Sequence, residues 1–314
     1  MLRPGQIPDA PSGNWVDARA PQALKPYLRL ARFDRPIGAW LLLFPTWWSQ
    51  ALAEVSTGSA YPNLWYLFLF WLGAFIMRGA GCTYNDIVDR DYDARVARTA
   101  ARPIPSGQVS VAQAYMFLAA LCAAGLLVLL QFNAFTILLG ASSLLLIAIY
   151  PFAKRFTYWP QLVLGLTFKW GALVGWAAVT GSLGYAALAL YAGSVLWTIG
   201  YDTIYAHQDK EDDALVGLKS TALRFGAATR SWLTGFYAGA VVLWGVAGLL
   251  AGAHAAFALA LLVAAAQLAW QVATLDIGNA ANCLERFRSN QVVGWLLFGG
   301  LVADMLLSAL FRSV

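Results

Sequence analysis

Nine stretches of about 20 consecutive apolar residues run through this chain, each long enough to cross a bilayer as a helix. They lie near 37–53, 62–84, 111–130, 134–152, 161–180, 183–201, 232–252, 254–274 and 291–311. Together they occupy more than half of the 314 residues, which leaves no room for the two soluble domains that such a length would otherwise allow. The charged fraction agrees: 12% of residues are Asp, Glu, Lys or Arg, roughly half the usual quarter for a soluble domain. The expected fold class is all-α, a polytopic membrane protein.

Orientation follows from the basic residues. Six of the 21 Lys and Arg precede the first span, four lie between spans 2 and 3, two follow span 4, four follow span 6 and two lie between spans 8 and 9. The opposite loops, around Gly58, Asn133, Gly181 and Gly252, hold none, and Arg312 follows the last span. By the positive-inside rule the N-terminus and long loops are cytoplasmic and the C-terminus is outside, which supports an odd number of spans. The expected setting is a bacterial inner membrane. The net charge of +5 does not mark a nucleic-acid partner, because the basic residues are not gathered into one stripe. Cys82, Cys122 and Cys283 show no metal-binding spacing and suit plain packing. Residues 1–36 are polar and Pro-rich and lack the features of a signal peptide. They are read as a cytoplasmic segment ahead of a membrane domain over 37–314.

Two loops on the basic side, 85–110 and 202–231, are long and hold nine of the 16 acidic residues. One follows span 2 and the other span 6, which hints at two four-helix units plus a final helix, with the acid clusters facing one another across a central cavity. In the first, Asn85, Asp89 and Asp93 stand at i, i+4, i+8 and share a face if span 2 continues as a helix. In the second, Asp202, Asp209 and Asp213 stand at i, i+7, i+11 and are expected to share one helix face as well. Carboxylates this close repel, more so near a low-dielectric boundary, and call for a cation. A ligand set of oxygens alone suits Mg²⁺, which keeps positions open for phosphate oxygens. Solvated loops would explain one such cluster, but less readily two at matching places. The EF-hand pattern is absent.

Basic residues complement the acids. Tyr150 and Lys154 are spaced i, i+4 after span 4, where Lys154 and Arg155 suit a diphosphate or a topology anchor. Arg102, in ARPIPSG, is either a phosphate contact or a loop anchor. Arg78 lies inside span 2, two turns before Asn85; charge there is expensive and faces a cavity or partner, so it is read as the receptor for a substrate carboxylate. Lys169, flanked by Phe168 and Trp170, is expected to snorkel and has no assigned role.

These segments resemble the UbiA family of intramembrane prenyltransferases over nearly the whole chain. The likeness rests on RFDRPIGAWLLLFPTWW (Arg32 to Trp48), NDIVDRDYD (Asn85 to Asp93), RPIPSG, YPFAKR and GYDTIYAHQDKEDD with the trailing GLKSTA. It implies nine transmembrane helices around a central cavity open sideways to membrane lipid. It also implies Mg²⁺-dependent transfer of a polyprenyl group from polyprenyl diphosphate to the ring carbon ortho to the hydroxyl of 4-hydroxybenzoate, in ubiquinone biosynthesis. By that likeness Asn85, Asp89, Asp209 and Asp213 hold Mg²⁺, with Asp86 and Asp93 close by. Tyr150 and Lys154 then lie beside the diphosphate, Arg78 near the acid's carboxylate, and Asp202 assists the departing proton or orients the phenol. His207 is incidental, and no role for Arg35 follows from its chemistry.

Other acceptors within the family, a naphthoate, haem or chlorophyllide, are the alternatives, and the motif wording favours hydroxybenzoate. A divalent-cation transporter would instead carry acids near the bilayer midplane. Here they cluster at helix ends, and Glu54 and Asp304, toward the outer side, make no continuous path with them.

Overall fold

The computed structural model describes residues 11, 13–96, 99–215 and 217–312. Residues 1–10 of the expected N-terminal segment, Arg98 and the side chain of Arg312 lie outside the described residues. Every regular element among the described residues is helical: α1 (Trp15–Arg19), α2 (Lys25–Leu30), α3 (Ile37–Ser56), α4 (Leu64–Asp93), α5 (Val111–Leu129), α6 (Ala134–Ile149), α7 (Ala153–Phe156), α8 (Pro160–Phe168), α9 (Gly171–Thr180), α10 (Tyr185–Ala206), α11 (Lys210–Leu215), α12 (Thr221–Phe225), α13 (Thr229–Ala251), α14 (Ala255–Thr274) and α15 (Ala280–Arg312).

Among the described residues seven helical stretches are long and apolar enough to span a membrane, α6–α7, α8–α9 and α12–α13 each forming one stretch. The other two expected positions are filled by α3 and α10, helices of 20 and 22 residues. Both are too polar for that class, α3 through Pro45, Gln50 and Glu54, and α10 through its Tyr, Ser, Thr and Gly. Most of α10 and the middle of α3 are buried. Their polar side chains are largely enclosed by protein, so among the described residues seven of the nine expected spans meet the length and hydropathy test and these two buried helices do not.

Residue contacts divide the chain into two compact units, Met1–Ala39 with Trp71–Gln131, and Trp40–Phe70 with Phe132–Val314. This division does not follow the two four-span halves suggested by the acid loops. In the first unit Leu30, Ile87, Ile104, Val109 and Ala114 form a buried core beneath Tyr27, Phe117 and Leu118. The polar N-terminal segment is tied in by Trp15, whose indole N–H donates to the Phe33 carbonyl at 2.9 Å, and by the Arg29–Asp17 ion pair. Ser110 and Gln113 close a capping box at the start of α5.

In the second unit α9 packs almost backbone to backbone on α3. A Cβ at Gly175 would collide with the Thr46 carbonyl, and one at Gly171 with the Thr46 hydroxyl. This is the small-residue contact by which membrane helices approach one another. Trp48, Trp197 and Trp244 form a buried aromatic knot with ring centroids 5.3–5.6 Å apart. Their indole N–H groups donate to the Gly294 carbonyl, Asn290 Oδ1 and Ser194 Oγ, as buried tryptophans require.

Two acids on the sparsely charged side are consumed by structure. Glu54 accepts from the Asn63 N–H at 2.9 Å and from Gln50 at 3.2 Å. Buried Asp304 accepts from the backbone N–H groups of His254 and Phe257 at the start of α14. Both therefore serve helix ends.

Lys169 does not snorkel. It is fully buried at the break between α8 and α9, with Nζ 4.7 Å from the Trp197 ring centroid and 5.3 Å from that of Tyr201. It donates to the carbonyl of Leu41. Four residues on, Pro45 sits inside α3 and has no N–H to offer that carbonyl. The lysine thus replaces the backbone donor that proline removes. Lys169→Met is expected to lower stability by about 1–3 kcal/mol, and Pro45→Ala, which restores the N–H, should shrink that loss. Thermal unfolding of the four variants in detergent measures both; an equal loss in the two backgrounds would refute the pairing.

Candidate active site

α4 runs unbroken from Leu64 to Asp93 and so carries NDIVDRDYD as helix. At about 100° per residue, Asp89 stands about 40° around the helix from Asn85, and Asp93 drifts to within about 20° of Asp86. The structure follows this sorting. Asp86, fully buried, accepts from Arg32 Nη2 through both oxygens, at 2.7 and 2.9 Å, and from Arg102 Nη1 at 3.1 Å. Arg102 Nη1 also donates to Asp93 at 2.7 Å. Of the two roles expected for Arg102, the loop anchor is the one displayed, because it ties RPIPSG to the end of α4. Asp86 and Asp93 are held by guanidinium groups, and Asn85 and Asp89 stand on the adjacent stripe of α4, with Asp89 buried.

Arg32 adopts a left-handed backbone with φ 62°, strained for a non-glycine residue. Burial works against its charge, yet Asp86 alongside holds its pKa above the ordinary guanidinium value. Sequence reasoning did not single out Arg32 as a partner; the available signal was a basic residue just before a span, with an acid in excess of the metal pattern.

In the second unit α10 ends at Ala206, and the chain turns through Asp209 into α11. Asp202 therefore stays on α10, and the expected shared face with Asp209 and Asp213, which needs one continuous helix, does not form. Asp209 and Asp213 do remain one turn apart, the Asp213 N–H donating to the Asp209 carbonyl at 2.8 Å. His207 is buried in that turn, its Nε2 2.9 Å from Thr229 Oγ1. Burial, helped by the charge of Lys210, pushes its pKa down to about 4.

Pro151 tightens the chain after α6 into a 3-10 turn, Tyr150–Phe152, before α7 carries Lys154 and Arg155. The Lys154 carbonyl accepts from the Lys219 N–H at 2.9 Å, and Gln161 Oε1 from the Thr221 N–H at 3.1 Å. Thr203 and Thr221 share a buried hydroxyl contact at 2.6 Å. GLKSTA is thereby fastened to YPFAKR through the Lys154 carbonyl, to α8 through Gln161 and to α10 through Thr203, contacts that spacing alone does not reveal.

Among the described residues no group of three or more His, Cys, Asp or Glu could hold a metal ion. A hard cation takes oxygen donors and, where substrate phosphate supplies the rest, as few as one or two carboxylates. Asn85 with Asp89, and Asp209 with Asp213, are pairs of that kind, all oxygen donors.

Helices of membrane-spanning length make this a multi-pass membrane protein, and Asn85 with Asp89, and Asp209 with Asp213, give it oxygen donors near the ends of α4 and α10. The sequence model of the UbiA prenyltransferase family matches residues 42–300, and the chain belongs to that family. It is similar to mitochondrial 4-hydroxybenzoate polyprenyltransferases. That of Mus musculus is 52% identical over 284 residues, covering 90% of this chain and 75% of the relative. That of Caenorhabditis elegans is 48% identical over 303 residues, covering 96% and 85%, and that of Aedes aegypti is 52% identical over 282 residues, covering 90% of this chain and 64% of the relative. Among solved structures, a UbiA homolog from Aeropyrum pernix K1 matches with TM-score 0.71 at 28% identity, over 84% of this chain and 98% of that one. One from Archaeoglobus fulgidus bound to GPP and Mg²⁺ shares the fold, with TM-score 0.61 at 20% identity over 89% and 99%.

The relatives' names overturn the expected bacterial inner membrane, since they are mitochondrial proteins. Hydropathy and charge bias describe a multi-pass protein with a basic side and carry no information about which membrane holds it.

Replacing Asp86 by Asn would leave the largely enclosed Arg32 guanidinium without its counter-charge and Arg102 with Asp93 alone, a change of up to about 3–5 kcal/mol. Asp86→Asn is expected to lower Tm, and excess Mg²⁺ should not restore it. Recovery with Mg²⁺ would identify Asp86 as a metal ligand instead.

Proposed function

We propose that this chain transfers a polyprenyl group from polyprenyl diphosphate to the carbon ortho to the hydroxyl of 4-hydroxybenzoate, a step of ubiquinone biosynthesis. The observation that carries this reading is about 50% identity with 4-hydroxybenzoate polyprenyltransferases across 90% or more of the chain. The oxygen-donor pairs on α4 and at the start of α11 support it.

Asn85 with Asp89, and Asp209 with Asp213, hold Mg²⁺ in this proposal. The metal, when bound, supplies positive charge to the diphosphate oxygens. Tyr150 and Lys154 bind the diphosphate from the protein side, Lys154 as a point charge toward the departing pyrophosphate. The carbon–oxygen bond of the prenyl diphosphate breaks and pyrophosphate leaves with the electron pair. The allylic cation is kept from water by apolar and aromatic walls. Arg78 holds the acid's carboxylate so that the carbon ortho to the hydroxyl faces that cation. The carbon–carbon bond forms, and the displaced ring proton passes to a base. Asp202, which lies within electrostatic reach of Lys169, assists that transfer or orients the phenol. Arg102, with Asp86 and Asp93, keeps α4 and its following loop in place. The prenyl tail stays in membrane lipid, so the protein need not desolvate it.

Membranes containing the protein, given labelled 4-hydroxybenzoate, a prenyl diphosphate and Mg²⁺, are expected to form a lipid-soluble product. EDTA should abolish it, and Asp89→Ala or Asp209→Ala should lower the rate by at least about 100-fold. Undiminished product in both variants would refute the metal assignment, and cation flux into vesicles without any product would favour a transporter.

A further inference from the structure

Gly38 is the second residue of α3, and nothing in its backbone calls for glycine, since it is not among the residues with positive φ. Alanine is the better helix former by about 1 kcal/mol in a helix interior. What does require glycine is the neighbour. A Cβ at position 38 would lie 2.6 Å from Arg78 Nε, 2.9 Å from Nη2 and 3.1 Å from Cζ. The guanidinium rests on the bare backbone of the first turn, and it is the Nε–Nη2 edge that a side chain would strike. That edge is one of the two forks through which arginine grips a carboxylate. The first turn of α3 brings partial positive charge to the same place, which also favours an anion.

We propose that Gly38 is a positioning residue for the aromatic acid, because the absence of its side chain sets where the Arg78 guanidinium lies. The inference rests on the reading of Arg78 as the carboxylate receptor. Its chemistry is specific. The clashing atoms are the far end of a flexible side chain rather than backbone, so a methyl group at position 38 displaces the guanidinium without moving a helix. A displacement of up to about 1 Å is felt by a substrate whose reacting carbon must be aligned, and misplacement on that scale costs up to about 100-fold. A residue that only packs α3 against α4 would behave in the opposite way, losing stability and affecting both substrates alike. Gly81, also on α4, provides the control, since a Cβ there meets nothing within 4 Å.

The test compares steady-state kinetics and Tm for wild type, Gly38→Ala, Arg78→Ala, the double variant and Gly81→Ala. Gly38→Ala is expected to raise KM for 4-hydroxybenzoate about tenfold, leave KM for the prenyl diphosphate unchanged, and leave Tm unchanged or raised. In the Arg78→Ala background the same substitution should have no further effect, because Gly38 acts only through that side chain. Gly81→Ala should match wild type. If Arg78→Ala raises KM for the acid but Gly38→Ala does not, or if Gly38→Ala lowers Tm and affects both substrates equally, the inference is overturned and the Arg78 reading stands. If Arg78→Ala leaves KM for the acid unchanged, the carboxylate reading falls and the inference with it.

Discussion

A polar group inside an apolar slab has no water to turn to, so each one must find its partner within the protein. Much of this structure can be derived from that constraint. Proline in α3 strips Leu41 of its backbone donor, and the amine of Lys169 arrives from the break between α8 and α9 to supply one. Buried Asp304 and Glu54 answer exposed backbone N–H groups at helix ends. Asp86, without access to solvent, is held by two arginines. Charges that look anomalous in an apolar sequence are the fastenings of the fold.

The same constraint organises the candidate chemistry. A helix of 3.6 residues per turn cannot keep residues spaced by four on one line indefinitely, and α4 uses that drift to separate its acids. Asp93 rotates toward Asp86 and joins it beneath Arg102, which anchors the following loop. Asn85 and Asp89 are left on the neighbouring stripe as an oxygen-donor pair. The second pair, Asp209 and Asp213, is delivered differently, by ending α10 and starting the short α11 at the place where the acids cluster.

Helix content, approximate span positions and the identity of both acid clusters were legible in the sequence, because apolar runs of bilayer length and an i, i+4 spacing survive without knowledge of neighbours. Less legible were the features that depend on what lies opposite. α3 and α10 are more polar than a lipid-facing span, and only the structure shows how much of them is buried. Lys169 looks like a snorkelling residue beside two aromatics, and only the Leu41 carbonyl explains why it points inward. Asp202, Asp209 and Asp213 fall on one face only if the helix continues, and whether it continues past Ala206 is decided by the packing of the turn that holds His207 and Thr229.

By itself the sequence determined the class of solvent this protein needs, the side of the membrane that is basic, and the residue types able to meet a metal and a diphosphate. These are one-dimensional properties of hydropathy, charge and spacing. Tertiary structure alone decided which acids are consumed by arginine, which lysine completes a broken backbone ladder, and which glycine makes room for Arg78. Those assignments turn on ångström-scale contacts between residues far apart along the chain, Arg32 with Asp86 or Lys169 with Leu41, and spacing along one helix carries no record of what another helix brings to it.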